Sequence, residues 1–431
     1  RYKRGVGLGP DFNWHLPRFG DGQFKYYYIH DLEPGTTTAG EPIDPDRQRL
    51  WFSHQTALNS NLTAKALVRW QTDRLIVRDF FESEYQKNPQ PSTYVEVQQQ
   101  WTNYTLNLLA QPRLNPFYET VEQLPDVKLT GLRQQLGHSP LFYDNDTHVG
   151  WYRHRFADDA TNAYSAFRAD TYHQVLLPYT FFNWLNVTPR VGGRFTHYSQ
   201  SDQDGRSFSE LDRGVFNTGV EMTFKASRVW PDVSSRFWQL NGLRHIVEPG
   251  VNYAYVPRPN RTPDELPQFQ YELPTTRLLP IDYPDYNSID SIDSQNVMRL
   301  SLRNRLQTKR KLGIEDVIHW ALVADWRLKP RPDQTTFSDV YSQLDLVPFA
   351  WLALTSDLRY SIDSKRLREA NHGITLTPNT TWSVNFGHRY LEDDYASGLG
   401  AGNNLFTTTL YYRLNENWAL RASQHFEVRT G

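Results

Sequence analysis

Charged side chains at alternate positions are the chemistry that stands out in this chain. In residues 298–309 the odd-numbered positions are cationic or polar, and most even-numbered positions are apolar. We call each of these two alternating sets of positions a parity. Such a face would bind an anionic or amphipathic cargo by electrostatics, without making bonds. The alternative is that opposite charges pair across strands and keep an interior hydrated. The candidate residues for lining a cargo passage are Arg299, Arg303, Arg305, Lys309, Asp325, Arg327, Arg421 and Glu427.

A second group of charges lies in the Pro-rich segment 257–294. It consists of Asp282, Asp285, Asp290 and Asp293. Carboxylate oxygens are good ligands for Ca²⁺, so this group could hold divalent ions that bridge anionic lipid headgroups. The spacing is not that of an EF-hand loop, and a solvated acidic loop is the alternative interpretation. We predict no resident metal and no cofactor.

The sequence lacks the usual motifs of enzymes. It contains no nucleophile elbow, P-loop, dinucleotide-binding glycine pattern or zinc-helix motif. With 0 Cys, it has neither a disulfide framework nor a thiolate metal site. We therefore predict a protein that is not an enzyme.

Composition narrows the class of protein. The net charge of -2 gives no basic field for nucleic acid. Aromatic residues make up 14% of the chain, yet the mean hydropathy is -0.66. A barrel with aromatic girdles and a wet interior has this composition, and so does a secreted glycan-binding β-protein. No run of 18 apolar residues is present, which excludes a helical membrane protein.

The charges need strands to position them, because side chains alternate between faces only along a strand. About twenty segments show this alternation, mostly at the length that crosses a bilayer at a tilt. Connections alternate between tight turns and long segments, the long ones being 31–49, 80–92, 199–214 and 257–294. Aromatic residues gather at the ends of the apolar parity, as in interfacial girdles. They include Trp320, Trp326, Trp382, Tyr390, Trp418 and Phe426.

We therefore predict an all-β protein, a large transmembrane antiparallel β-barrel, with a soluble sandwich as the alternative. We expect residues 1–431 to form a single outer-membrane barrel domain, incomplete at both ends, with a long loop at 257–294. The chain starts at Arg1 without Met or a signal peptide, which indicates a fragment or a trimmed mature segment.

Several short motifs, in order, resemble the LPS-assembly protein family LptD, also called the organic solvent tolerance (OstA) family. The resemblance spans nearly the whole chain, and the order of the motifs carries it rather than any single one. The matching stretches are Asp79-Phe80-Phe81, Asn88-Pro89-Gln90-Pro91, Leu124-Pro125-Asp126-Val127, Ser139-Pro140-Leu141-Phe142-Tyr143, Thr188-Pro189-Arg190-Val191-Gly192, Asn217-Thr218-Gly219-Val220-Glu221, Leu243-Arg244-His245-Ile246-Val247-Glu248-Pro249, the Asp-rich loop and strand from Asp290 to Arg310, and Tyr412-Arg413-Leu414-Asn415-Glu416-Asn417-Trp418.

The resemblance implies a translocon component in the outer membrane of a Gram-negative bacterium. Such a protein takes lipopolysaccharide from the periplasm and inserts it into the outer leaflet. The implied partners are lipopolysaccharide, a plug lipoprotein (LptE-like), periplasmic bridge proteins and outer-membrane lipids, and no nucleic acid. The family has 26 strands and a jellyroll domain before the barrel, whereas here about twenty or more strands and no jellyroll are indicated. A general porin or sugar channel, and a secreted glycan-binding β-protein, are the alternatives.

Overall fold

The computed structural model describes residues 4–37, 40–87, 92–159, 163–203, 206–285, 288–310, 313–332 and 334–428. The elements are almost all strands. The strands are β1 Gly7–Leu8, β2 Asp11–Leu16, β3 Gly20–His30, β4 Asp46–Ala57, β5 Leu62–Gln71, β6 Tyr94–Gln100, β7 Tyr104–Gln111, β8 Thr120–Gln135, β9 Phe142–Arg155, β10 Tyr164–Leu176, β11 Tyr179–Phe181, β12 Leu185–Tyr198, β13 Ser201–Gln203, β14 Arg206–Phe208, β15 Leu211–Phe224, β16 Ala226–Ser235, β17 Leu240–Val256, β18 Gln295–Arg310, β19 Gly313–Arg327, β20 Val340–Phe349, β21 Leu352–Ser361, β22 Arg366–Leu376, β23 Trp382–Leu391, β24 Asn403–Arg413 and β25 Ala419–Glu427. The helices are α1 Ile76–Phe80 and α2 Glu82–Lys87, with 3₁₀ turns at Ala157–Asp159 and Pro263–Glu265.

Twenty-three of these elements form one antiparallel sheet, and β13 and β14 form a small separate hairpin. Three pairs of elements are successive halves of one longer strand, because both halves pair with the same neighbour. They are β1 and β2 on β3, β10 and β11 on β12, and β15 and β16 on β17. Over the residues that the structure describes, the sheet therefore has 20 strands, which confirms the prediction of a large antiparallel all-β fold. Within the described residues, β25 pairs only with β24, and β1 and β2 pair only with β3.

Connections of two kinds alternate around the sheet. One edge carries short turns, such as those at 182–184, 350–351 and 414–418, and we call it the tight-turn rim. The opposite edge, the long-loop rim, carries the connections 31–45, 72–93, 257–294 and 392–402. Antiparallel neighbours place successive connections at opposite edges, and the predicted alternation of tight and long connections is confirmed except at the short turn 362–365 on the long-loop rim.

The two faces of the sheet differ as the alternation predicted. In β18 and β19 the pair Leu302 and Leu322 lies on one face, and the pair Arg299 and Asp325 lies on the other. Large apolar side chains stay exposed along the first face of many strands, a surface far larger than a soluble monomer leaves uncovered. This outer face includes Val191, Phe195, Phe216, Leu300, Trp320, Ile374, Phe386, Leu410 and Leu420. We therefore describe it as the membrane-facing wall and the charged face as the inner wall.

The sheet is strongly curved, as a barrel wall must be. Two neighbouring residues of the long loop reach distant strands: Tyr283 donates to Asp144 of β9, and Asp282 accepts from Asn252 of β17. In a flat sheet these strands would lie about 19 Å apart, at 4.8 Å per spacing. The inner wall therefore bends around the loop.

The connection between β5 and β6 differs from the long loop expected at 80–92, since it contains α1 and α2. A buried arginine holds this segment to the wall. Arg47 of β4 has 0% exposed side chain and donates to Asp31 at 2.8 Å, to Asp79 at 2.9 Å and to Asp73 at 2.7 Å. Hydrogen bonds from Arg4 and Arg47 lower the pKa of Asp31 to about 2. No helix among the described residues has the length and apolarity to span a bilayer.

Two other expected loops are shorter than predicted. The segment 31–49 ends inside β4, and 199–214 contains the hairpin β13–β14 and the start of β15. The loop 257–294 has no strand and only the 3₁₀ turn at Pro263–Glu265 among its described residues, as its seven prolines predicted.

Candidate functional site

The loop 257–294 folds onto the inner wall, where it meets four arginines. Arg168 lies on β10, Arg190 and Arg194 lie on β12, and Arg213 lies on β15. All four point inward because they share the parity that faces away from the apolar outer belt. Their contacts to the loop are Arg168 to Asp290 at 3.1 Å, Arg194 to Asp285 at 2.5 Å, Arg190 to Asp282 at 3.5 Å, and Arg213 to the carbonyl oxygen of Ile289 at 2.7 Å.

Asp290 is the centre of this network. Its carboxylate accepts hydrogen bonds from Arg168, from the hydroxyl of Tyr198 at 2.5 Å, and from the backbone N–H groups of Phe269 and Gln270 at 2.9 and 2.7 Å. The side chains of Asp290 and Arg168 are both 0% exposed. A buried charge is tolerated only when it is paired and hydrogen-bonded, and here both conditions are met.

Apolar and aromatic contacts hold the same loop. Phe269 packs with Tyr152, Tyr164 and Ala166 of the inner wall. Further along, Ile281 packs with Ala254 and Val297, and Ile292 packs with Val215 and Val256. The guanidinium of Arg168 lies 4.2 Å from the ring centre of Tyr152, a distance that gives a cation–π attraction. The loop is thus fixed on β9 to β18 by both ion pairs and packing.

The structure shows the contacts of the four aspartates that were candidates for binding divalent ions. Asp282, Asp285 and Asp290 face arginines, while Asp293 accepts from the backbone N–H of Ser294 at 2.6 Å. Among the described residues, no group of three or more His, Asp or Glu side chains is arranged to hold a metal ion. The role of these aspartates toward divalent ions stays a prediction.

Burial and the carboxylate of Asp144 raise the pKa of Tyr283 above its ordinary value. The hydroxyl is protonated at neutral pH and donates to Asp144 at 3.1 Å. This bond ties the loop to β9, opposite its contacts with β17 and β18.

The cations predicted to line the passage occur in two settings. Arg299 pairs with Asp325 at 2.7 Å and donates to the loop carbonyl of Leu279 at 2.6 Å. Arg327 donates to the carbonyl of Thr335 at 2.9 Å. These residues lie near the long-loop rim, so the structure brings them together beside the folded loop.

The remaining candidates lie farther from the loop. Arg303 is 3.6 Å from Glu248 and its side chain is 59% exposed. Arg305 is 3.8 Å from Asp316, and Lys309 is exposed. Arg421 is exposed on β25, where Glu427 accepts from the backbone N–H of Asn404 at 2.8 Å. Exposed cations therefore line the inner wall outside the part that the loop covers.

Sequence reasoning missed the arginines that hold the loop and a further cavity beside it. The cavity encloses about 520 Å³ between the loop and β19 to β22. Its wall contains Arg359, which donates to Asp339 at 2.6 Å, and Arg368, which is 3.4 Å from Asp394. Inward parity within the predicted strands marked Arg168, Arg190, Arg194 and Arg359, but nothing in the pattern set them apart from other inward charges. Arg213 and Arg368 lay outside the predicted strands.

Comparisons with known proteins give one strong match. The family model described as LptD, LPS transport system D, matches residues 46–418. A search of curated proteins found no match.

Solved structures give only weak similarities. The siderophore receptor PirA from Pseudomonas aeruginosa is 10% identical, with a TM-score of 0.38 over 98% of this chain and 73% of that chain. A mutant of the ferric enterobactin receptor PfeA from Pseudomonas aeruginosa is 10% identical, with a TM-score of 0.39 over 97% of this chain and 74% of that chain. The copper transporter OprC is 10% identical, with a TM-score of 0.32 over 97% and 72%. These similarities support no statement about fold or function.

Proposed function

The chain belongs to the LptD family, LPS transport system D, and on this premise we propose that it takes lipopolysaccharide from the periplasm and inserts it into the outer leaflet. Family membership supports lipopolysaccharide transport at the outer membrane as the general activity. The proposed step is passive and makes no bond: the acyl chains leave through the wall while the polar headgroup crosses the lumen. Free energy comes from the periplasmic bridge proteins.

The observation that carries this proposal is the uneven inner wall. The loop 257–294 lies on the inner wall from β9 to the long-loop end of β18 and is held there by ion pairs and hydrogen bonds. Exposed cations such as Arg303, Lys309 and Arg421 lie beyond it. An anionic headgroup is attracted to these cations, but high exposure keeps each interaction weak, so the headgroup can move on. The passage therefore lies along the part of the wall that the loop leaves open.

The orientation follows from the same proposal. The tight-turn rim faces the periplasm, where the bridge proteins deliver the cargo, and the long-loop rim faces the exterior. A plug lipoprotein would contact the uncovered part of the inner wall, because the loop occupies the rest.

Depletion of the protein in its bacterial host tests this function. Newly made lipopolysaccharide should then stop reaching the cell surface and should accumulate before the outer membrane. Wild-type protein should restore the surface signal, whereas a protein carrying Arg303→Glu and Arg421→Glu should restore it only partly, because two attractive sites become repulsive. Arg303→Lys with Arg421→Lys keeps both charges and serves as the matched control. Normal surface lipopolysaccharide after depletion would contradict the proposal.

A further inference from the structure

The membrane-facing wall carries an open groove that the transport step does not use. It encloses about 580 Å³ and crosses β10, β12 and β15 to the start of the long loop. This volume lies in the range of small-ligand sites, roughly 300 to 1,000 Å³. The residues that shape it are His173, Gly193, Phe195, Gly214, Phe216 and Arg258.

Two glycines form the floor of the groove. A Cβ at Gly214 would meet no atom within 4 Å, and one at Gly193 would meet only the carbonyl oxygen of Val215 at 3.8 Å. Neither glycine has a positive φ. Packing and backbone conformation therefore require neither of them, although glycine weakens a strand interior. Glycine in a strand often marks a place where a ligand approaches the backbone closely.

The aromatic side chains beside these glycines do not close the groove. Phe195 is the cross-strand partner of Gly214, and Gly193 is the partner of Phe216. A ring folded over a neighbouring glycine would fill the space above it, yet both rings leave it open. Phe195 and Phe216 are 50% and 49% exposed. They stand as the side walls of an apolar trough.

At the end of the groove nearer β9, polar side chains form hydrogen bonds with one another and close the groove. The hydroxyl of Tyr143 lies 2.6 Å from Nδ1 of His173, and Nε2 of His173 lies 2.9 Å from the hydroxyl of Thr171. That hydroxyl lies 2.8 Å from the hydroxyl of Thr147. Buried in lipid, these groups need no polar ligand, because each already has a hydrogen-bond partner.

The end of the groove at the long-loop rim carries a cation. Arg258 follows the end of β17 at the long-loop rim, and it is exposed. From Arg258 to His173 the groove crosses three strand spacings, about 14 Å at 4.8 Å each. Half the hydrocarbon core of a bilayer is about 15 Å. Because strands of a membrane barrel tilt by about 35–45°, a path of this length across them descends about 8–10 Å, so the groove lies within the half of the hydrocarbon core next to the long-loop rim.

We propose that this groove holds one acyl chain of a lipopolysaccharide molecule in the surrounding outer leaflet, with a phosphate of its headgroup at Arg258. The apolar trough accommodates the chain, and the guanidinium at the rim complements the phosphate. Assignment to the outer leaflet rests on the proposed function, which places the long-loop rim outside. The bound molecule is a lipid of the wall and not cargo in the lumen.

Native mass spectrometry of the whole chain in detergent, with purified bisphosphorylated lipid A as the probe, tests this proposal. The wild type should retain one lipid A. The variant Gly193→Leu/Gly214→Leu fills the trough and should bind at least tenfold more weakly. Ala66→Leu adds the same side chain to the outward face of β5 and should bind as the wild type does.

Arg258→Gln tests the phosphate-binding part of the proposed site separately from the acyl-chain part. It should weaken binding of bisphosphorylated lipid A severalfold and leave binding of dephosphorylated lipid A unchanged. Equal retention by the wild type and the double-leucine variant would overturn the proposal. A wild-type dimer that this variant dissociates would also overturn it, because the occupant would then be a second copy of the chain.

The groove proposal and the transport proposal can be refuted separately. Cells that carry Gly193→Leu/Gly214→Leu should still deliver lipopolysaccharide to the surface. Normal delivery together with absent lipid A binding in the wild type removes only the groove proposal. Specific lipid A binding together with normal surface lipopolysaccharide after depletion removes only the transport proposal.

Discussion

Replacement of Asp290 by alanine tests how firmly the long loop is held. The substitution leaves the guanidinium of Arg168 buried without its partner and deprives two backbone N–H groups and the Tyr198 hydroxyl of an acceptor. Breaking a buried ion pair by removing one partner costs about 3–5 kcal/mol. Since about 1.4 kcal/mol corresponds to a factor of ten, the detached state of the loop should become roughly 100 to 4,000 times more populated.

Hydrogen exchange of the amides in 266–292 measures this population, because exchange from a locally opened state reports its free energy. Protection there should fall by two to three orders of magnitude in Asp290→Ala, while the strand amides of β20 to β24 keep theirs. Asp293→Ala is the matched control, since Asp293 forms no ion pair with the described part of the wall and its loss should change protection little. Arg168→Met/Asp290→Leu removes both charges of this buried pair, so protection should recover in part. Unchanged loop protection in Asp290→Ala would refute the account of the loop.

Three further predictions concern local stability. Acidification should release the segment around Asp31. The pKa of Asp31 is lowered in the folded protein, so the stabilisation that its carboxylate contributes is complete above pH 4 and is lost as the pH falls toward 2. Hydrogen exchange of the α1 amides measures this loss. Arg47→Met should expose α1 to proteolysis at neutral pH, because three carboxylates lose a buried partner at a cost of about 3–5 kcal/mol. Gly192→Ala should destabilise the barrel by about 1–3 kcal/mol, because its Cβ would lie 2.7 Å from the side chain of Asn217, whereas Gly193→Ala should leave the melting temperature unchanged or raise it.

The strands could be predicted where the membrane sets the pattern. The stretch Met298–Lys309 was predicted as a strand, and β18 spans Gln295–Arg310. β22 was missed because its outward positions include Ala370 and His372, so alternation between apolar and polar residues is weak there. β2 and β20 were also missed. Where the outer face is not uniformly apolar, period-two patterning loses its signal.

The path of the long loop 257–294 could not be predicted from the alternation of residues in the sequence. Its prolines predicted irregular backbone, but the path of that backbone depends on partners such as Arg168, which lies 122 residues from Asp290. Both Arg168 and Asp290 were visible as charges in the sequence. Their pairing was not, because parity gives the face of a strand and says nothing about which loop folds over that face. Arg299 and Asp325 were predicted as lining residues with pairing across strands left open as the alternative, and the structure shows that they pair.

Site-specific photocrosslinking in growing cells tests the central claim most directly. A photoreactive residue at Arg303 or Arg421 lies on the inner wall, and one at Leu306 lies on the membrane-facing wall, nearer the tight-turn rim. Transport through the lumen predicts lipopolysaccharide adducts at Arg303 and Arg421 and none at Leu306. The absence of adducts at both inner positions, or equal adducts at Leu306, would contradict it.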